Sequence, residues 1–317
     1  MSASRRTSNQ SGLIAIAAVV LLAVVAFLLV VYAFRSPQIV GSGEAPGPAP
    51  TWSAQRSTTP SSTPTPAGAN SPDDQPGADR LLALSNSGAA IRATTGSCGV
   101  AVPNVSVLAA PGGAWTPISF GNTSVGEIVN LAYTADTQID AVVRTLPNCD
   151  VTLLTSYTSG EFWALTPERL AEFTYYDADF ITLSVFGNTT EPPCPQPLGI
   201  VGLAPRAVLQ CSDALYVYDP ASSSWQLLSL VNAEALAAND EGPALAGISG
   251  VADCDGLGIR RYDLQTIPED GLDISCVPVL QIGAPVALDL DGDNAMIWLD
   301  DRILVSADQG VTWNDLA

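Results

Sequence analysis

The 317-residue chain carries 32 acidic residues and twelve arginines, with no histidine and no lysine. Those two absences exclude the Ser-His-Asp triad, the Cys-His pair and imidazole-bound zinc, and with them the P-loop, Schiff-base lysines and the Ser-Lys dyad. From Ser36 onward 32 acids face nine arginines, a balance of −23 that repels phosphate backbones, so nucleic acid is not expected as a partner.

Residues 1–12 form a short polar start containing Arg5 and Arg6 and no acid. Leu13 to Phe34 is an uncharged apolar run, long enough as a helix to span roughly 30 Å of bilayer hydrocarbon. With both arginines ahead of it, the positive-inside rule predicts an uncleaved single-pass signal anchor in the plasma membrane. The N-terminus is then cytoplasmic and the remainder extracytoplasmic. All six cysteines fall in that exported part, where disulfides can form. Residues 35–79 hold nine prolines among Ser, Thr, Gly and Ala, a composition that cannot bury a core and reads as a disordered, semi-rigid linker.

Residues 80–317 are expected to form one all-β domain. Short apolar runs such as Leu81–Leu84, Ile128–Tyr133, Ile181–Val185, Val208–Leu209 and Val286–Leu288 alternate with turn residues. Two helical turns are expected. One covers Thr166–Ala171, with Thr166 as cap and Pro167 at its first position; the other covers Ala233–Ala238.

The sharpest motif closes the chain: Ser306-Ala307-Asp308-Gln309-Gly310-Val311-Thr312-Trp313, following the apolar Ile303-Leu304-Val305. Gly310 would supply a positive φ in a hairpin turn while Ser306 and Asp308 bond donors inside it, and Trp313 would pack between neighbouring sheets. Degenerate copies precede it. Ser156, Gly160 and Trp163 keep the offsets, as do Gly112 and Trp115, whereas Tyr218 to Trp225 keeps only the spacing and the Trp. Arg261-Tyr262-Asp263 to Asp270-Gly271 forms a further hairpin without Trp. The four tryptophans fall one blade apart, the last interval spanning two.

The Ser306–Trp313 segment resembles the Asp-box of the sialidase-like (BNR-repeat) β-propellers. That resemblance implies a propeller; units of roughly 40 residues then suggest six blades of about four strands, with five or seven blades as alternatives and a β-sandwich as runner-up. It also implies that Asp308 determines fold rather than catalysing. Sialidases of this fold use three arginines, a tyrosine paired with a glutamate, and a separate aspartate. The domain contains Arg92, Arg144, Arg206 and Arg302 with Tyr175, Tyr176 and Glu172, but Arg80 lacks the expected surrounding motif, so no catalytic residue is assigned.

The repeat frame suggests sequential disulfides: Cys98–Cys149 at similar positions in adjacent blades, Cys194–Cys211 around the strand beginning at Ile200, and Cys254–Cys276 around the hairpin without Trp. No cofactor is required. Asp289, Asp291 and Asp293 imitate part of a calcium loop, although Asn294 stands where that loop needs glycine and the flanks read as strands. The function expected is a membrane-tethered, non-catalytic binding or scaffold module for an extracellular protein or a cell-wall glycan. A glycoside hydrolase and an assembly factor for a membrane complex are the alternatives.

Overall fold

Short apolar runs separated by Gly, Pro and Asp turns give short antiparallel meanders, because each turn reverses the chain before a strand can lengthen. A computed structural model describes residues 80–177, 182–195, 197–203, 205–238, 243–264, 271–279, 282 and 285–316. The apolar run at 13–34 and the linker at 35–79 lie outside the described residues. Among the described residues, no helix is long and apolar enough to cross a membrane.

The described strands form six antiparallel sheets, each a blade. Blade 1 comprises β1 (Arg80–Leu84), β2 (Ala90–Thr94), β3 (Asn104–Leu108) and β4 (Thr116–Ile118). Blade 2 comprises β5 (Val125–Ala135), β6 (Gln138–Thr145), β7 (Asp150–Ser156) and β8 (Ala164–Leu165). Blade 3 has β9 (Thr174–Tyr176), β10 (Leu183–Val185) and β11 (Asn188–Thr190). Blade 4 has β12 (Gly199–Leu203), β13 (Arg206–Gln210), β14 (Leu215–Asp219) and β15 (Ser224–Ser229). Blade 5 has β16 (Ala233–Ala238), β17 (Pro243–Ser249), β18 (Gly256–Asp263) and β19 (Leu272–Pro278). Blade 6 ends the chain with β20 (Ala287–Asp291), β21 (Asn294–Leu299), β22 (Arg302–Ser306) and β23 (Asn314–Asp315).

The first strand of each blade meets the first strand of the next, and β20 meets β1, so the six sheets close into a propeller. A sandwich is thereby excluded. Middle strands are covered on both faces by neighbouring blades, which explains why β2 and β10 are buried throughout and β21 nearly so. The outermost strands β4, β8 and β23 are short and exposed, and β4 carries Pro117, as suits an edge that must not recruit another strand.

Four expectations are corrected. Ala233–Ala238 is not helical but forms β16, the innermost strand of blade 5. Alanine favours helix locally, yet six residues are too few to hold one alone, and small side chains suit a position where blades converge. Among the described residues blade 3 has three strands rather than four. The chain after β11 reads Glu191-Pro192-Pro193-Cys194-Pro195, and prolines lack the N–H that a fourth strand would donate. With no third-to-fourth hairpin there, the interval from Trp163 to Trp225 also spans two blades. Finally, the 3-10 helix Pro167–Glu172 has Thr166 at its cap position, but without a capping hydrogen bond; the Thr166 hydroxyl instead lies 2.7 Å from that of Thr155.

No strand is shared between blades 1 and 6, so side chains close the ring. Trp298 is wholly buried in a cluster with Leu82, Leu84, Leu108 and Met296. The Arg80 guanidinium sits 4.3 Å from its ring centroid and that of Arg92 5.0 Å, with Arg92 also 4.6 Å from Trp115. Arg80 donates to the Asp300 carbonyl at 2.6 Å, the Leu84 N–H to Asp289 Oδ2 at 2.7 Å, and Asn294 Nδ2 to the Asn86 carbonyl at 3.0 Å. Replacing Trp298 by Ala is expected to cost about 3–5 kcal/mol, the loss for a core aromatic, measured by denaturant unfolding. A loss below about 1 kcal/mol would mean that the seam is not the closure.

Candidate functional site

Within a four-stranded meander the first-to-second and third-to-fourth turns project from one end of the ring. The second-to-third turns project from the other, together with the connections that follow blades 1, 4 and 5. The two ends carry different chemistry.

At the first end lie the Trp hairpins. Ser306 closes β22, and its Oγ accepts from the Gly310 N–H at 2.9 Å while donating to Asp308 Oδ1 at 2.7 Å. Asp308 also accepts from the Thr312 N–H at 2.8 Å and the Thr312 hydroxyl at 2.7 Å. Trp313 Nε1 donates to the Gly310 carbonyl at 2.9 Å and contacts Ser275 Oγ of blade 5 at 3.1 Å. The Ser156 hairpin repeats this plan. The Gly160 N–H donates to Ser156 Oγ at 2.9 Å, Trp163 Nε1 to the Gly160 carbonyl at 3.0 Å, and Thr158 Oγ1 takes the aspartate's place by accepting from the Phe162 N–H at 2.9 Å.

Glycine is needed in both. Gly160 and Gly310 have φ of 91° and 86°, and an added Cβ would come within 2.8 Å of Ile118 in blade 1 and 3.2 Å of Leu245 in blade 5. Each hairpin therefore presses on the preceding blade. Trp163 meets Phe120 with tilted rings, 4.8 Å between centroids, and both tryptophans are half-buried rather than enclosed. The other hairpins differ. Gly112 has φ of 74° and Trp115 packs on the closure cluster, but the turn is held by Gly113 N–H to the Ala110 carbonyl. Asp219 organises its own turn through the Ala221 N–H and the Ser222 hydroxyl, and Trp225 meets Tyr218 edge to face at 5.3 Å.

The Asp308 carboxylate is tuned by its donors. The Thr312 N–H, then the Thr312 and Ser306 hydroxyls, hold Asp308 down to about 2. Asp140 also lies below the usual carboxylate range. Its burial pushes it up, but hydrogen bonds from Thr134, Thr155, Gln138 and Arg169 outweigh that. Because folding lowers both pKa values, the stability they supply is complete above the unfolded carboxylate range and lost as pH falls through the folded values. The melting temperature is therefore expected to fall between about pH 4 and pH 2, less steeply in Asp308→Asn. An unchanged slope in that variant would show that these donors do not hold the Asp308 carboxylate.

The remaining candidates do not converge. Arg92, Arg144, Arg206 and Arg302 lie in blades 1, 2, 4 and 6. Arg144 is buried and donates at 3.0 Å to the carbonyls of Tyr176 and Asp177, pinning blade 3. Arg302 pairs with Asp315 at 2.9 Å, and Glu172 with Arg169 at 2.7 Å. Asp289, Asp291 and Asp293 belong to the β20–β21 hairpin, with Asp289 on Leu84 N–H and Asp293 accepting from Gln309 at 2.9 Å. Among the described residues no three metal-ligating side chains gather into a cation site.

The second end carries the bridges. The structure pairs Cys98 with Cys149, Cys194 with Cys211, and Cys254 with Cys276. Cys98, Cys149, Cys211 and Cys254 all lie in second-to-third turns, so every bridge is anchored at this end. The first joins blades 1 and 2, the second ties the proline segment after blade 3 to blade 4, and the third lies within blade 5. Exposed apolar side chains stand among them: Val100, Val102, Leu146, Leu198 and Leu230. Beside Leu230 an open groove of about 400 Å³ runs past Val231, Ile248 and Val251 to the Arg260–Asp273 ion pair, 2.6 Å. Sequence reasoning missed these residues; a run of Val and Pro around Cys98, outside any strand pattern, is the signal it could have used.

No family model matches the chain, and no curated protein does. Among solved structures, "YCF48 bound to D1 peptide" is 14% identical over 76% of this chain and 69% of that one, with a TM-score of 0.29. A nidogen/laminin complex matches at 11% identity over 74% and 77%, TM-score 0.36. A putative 6-phosphogluconolactonase from Bacteroides fragilis matches at 12% identity over 74% and 82%, TM-score 0.40. At these TM-scores, function has to be read from the chain's own residues.

Proposed function

We propose that the chain is a membrane-tethered, extracytoplasmic β-propeller that binds or scaffolds a macromolecular partner without catalysing a reaction. The observation that carries this reading is the anchoring of all three disulfides at one end of the ring, among exposed apolar side chains. Bridges at that end fix turns that would otherwise move, and preorganised turns bind at lower entropic cost. Oxidised cysteines also suit a domain outside the cytoplasm. The uncharged run at 13–34 behind Arg5 and Arg6 supplies the anchor in this reading. The hairpins of blades 2 and 6 support a distant kinship with the Asp-box propellers, while the engagement of Arg92 on Trp115 and Trp298, of Arg144 on backbone carbonyls and of Arg302 on Asp315 argues against the sialidase reaction.

Protease added to intact, wall-stripped cells is expected to degrade the domain, and affinity capture of the full-length chain from native membranes to retain a stoichiometric partner. Full protection would overturn the orientation. Capture that yields the chain alone under conditions preserving other membrane complexes would overturn the binding role.

A further inference from the structure

We infer that the ridge around the Cys98–Cys149 bridge is the docking surface, and that it takes a polypeptide segment whose apolar side chains are flanked by Lys or Arg. This inference rests on the binding role proposed above and assigns it a place and a partner chemistry. Val100 and Val102 are 87% and 70% exposed, on a loop held tight by the Ser97 N–H on the Ala101 carbonyl and the Val100 N–H on the Ser97 carbonyl. Leu146, also exposed, precedes Cys149 in the adjoining turn of blade 2. The two turns meet: the Cys98 and Cys149 Cα atoms are 5.9 Å apart, and a Cβ built at Gly126 would stand 2.9 Å from Cys98 Sγ and 3.0 Å from Leu146 Cδ2. The Cys98 N–H is further tied to Glu127 Oε2 at 3.4 Å. Three apolar side chains thus share one covalently fixed ridge, whereas isolated exposed valines would be ordinary surface.

Charge decides the occupant. Exposed carboxylates at this end of the ring include Asp150, Asp213, Asp253, Asp255 and Asp301. The arginines there are engaged: Arg80 on Trp298 and the Asp300 carbonyl, Arg144 on Glu127 and the Tyr176 and Asp177 carbonyls, Arg302 on Asp315. A second copy of so acidic a chain, or an anionic bilayer, is repelled from such a surface, while a cationic segment is steered to it.

The test uses full-length chain in detergent and three synthetic twelve-residue peptides of alternating composition, Lys–Val, Lys–Ser and Glu–Val, with binding read by fluorescence anisotropy. Lys–Val is expected to bind most tightly and Glu–Val not at all. The double variant Val100→Ser/Val102→Ser should weaken Lys–Val about tenfold, the scale of withdrawing two valine side chains from a contact, and leave Lys–Ser unchanged. Both side chains are exposed, so the variant should keep the wild-type melting temperature. Equal binding of Lys–Ser and Lys–Val, or Lys–Val binding unaffected by the double variant, overturns the inference. So does self-association, or binding to vesicles of anionic phospholipid, that the double variant abolishes. A captured membrane partner retained equally by the variant would sink this surface while leaving the binding role standing.

Discussion

A ring of blades is only as strong as the contact that closes it, and here that contact is made without a shared strand. Blades 1 and 6 are each built from consecutive strands, so no backbone ladder spans the seam. Trp298 fills it, with Arg80 and Arg92 stacked against its ring and Trp115 behind Arg92. Guanidinium groups suit this use: they are planar, weakly hydrated and stack on aromatic faces while their N–H groups still reach carbonyls. In a chain without lysine, every buried cation is of this kind.

The same solution recurs around the ring in milder form. The innermost strand of a blade has one edge unpaired, and buried backbone groups need partners. Side chains of the preceding blade supply several of them. Asn130 Nδ2 donates to the Thr174 carbonyl of β9 at 2.8 Å, Gln210 Nε2 to the Ala233 carbonyl of β16 at 2.6 Å, and Asp289 accepts the Leu84 N–H of β1. Blade 3, the smallest, receives Arg144 as well. Apolar clusters between blades contribute most of the burial, and these polar reaches set the angular register that apolar contact alone leaves loose.

What could be read from the sequence follows from the range of each interaction. The Ser306 hairpin was legible because its chemistry is complete within eight residues, and the Ser156 hairpin because Ser, Gly and Trp keep their offsets even with Thr158 in the aspartate's place. β16 was not, since an alanine-rich hexapeptide carries helix propensity locally and acquires strand pairing only from β17. The missing strand of blade 3 had a signal in its prolines, but that signal reads equally as a loop. The seam was invisible: Arg80 and Asp300 are 220 residues apart in sequence, and nothing local to either marks the other. The Val100 ridge was hidden for a related reason, because two valines in a loop mean little until a bridge joins their loop to the turn of another blade that carries Leu146.

Closure by side chains can be tested at a single amide. The Leu84 N–H points away from β2 toward blade 6, and its acceptor is the Asp289 carboxylate at 2.7 Å. If that seam holds the ring, residue-resolved hydrogen exchange should find Leu84 strongly protected in the native chain. It should exchange rapidly in Asp289→Ala, while the amides of β13, across the ring, stay slow. A Leu84 amide that exchanges freely in the native chain, or that stays protected after the substitution, would contradict the account.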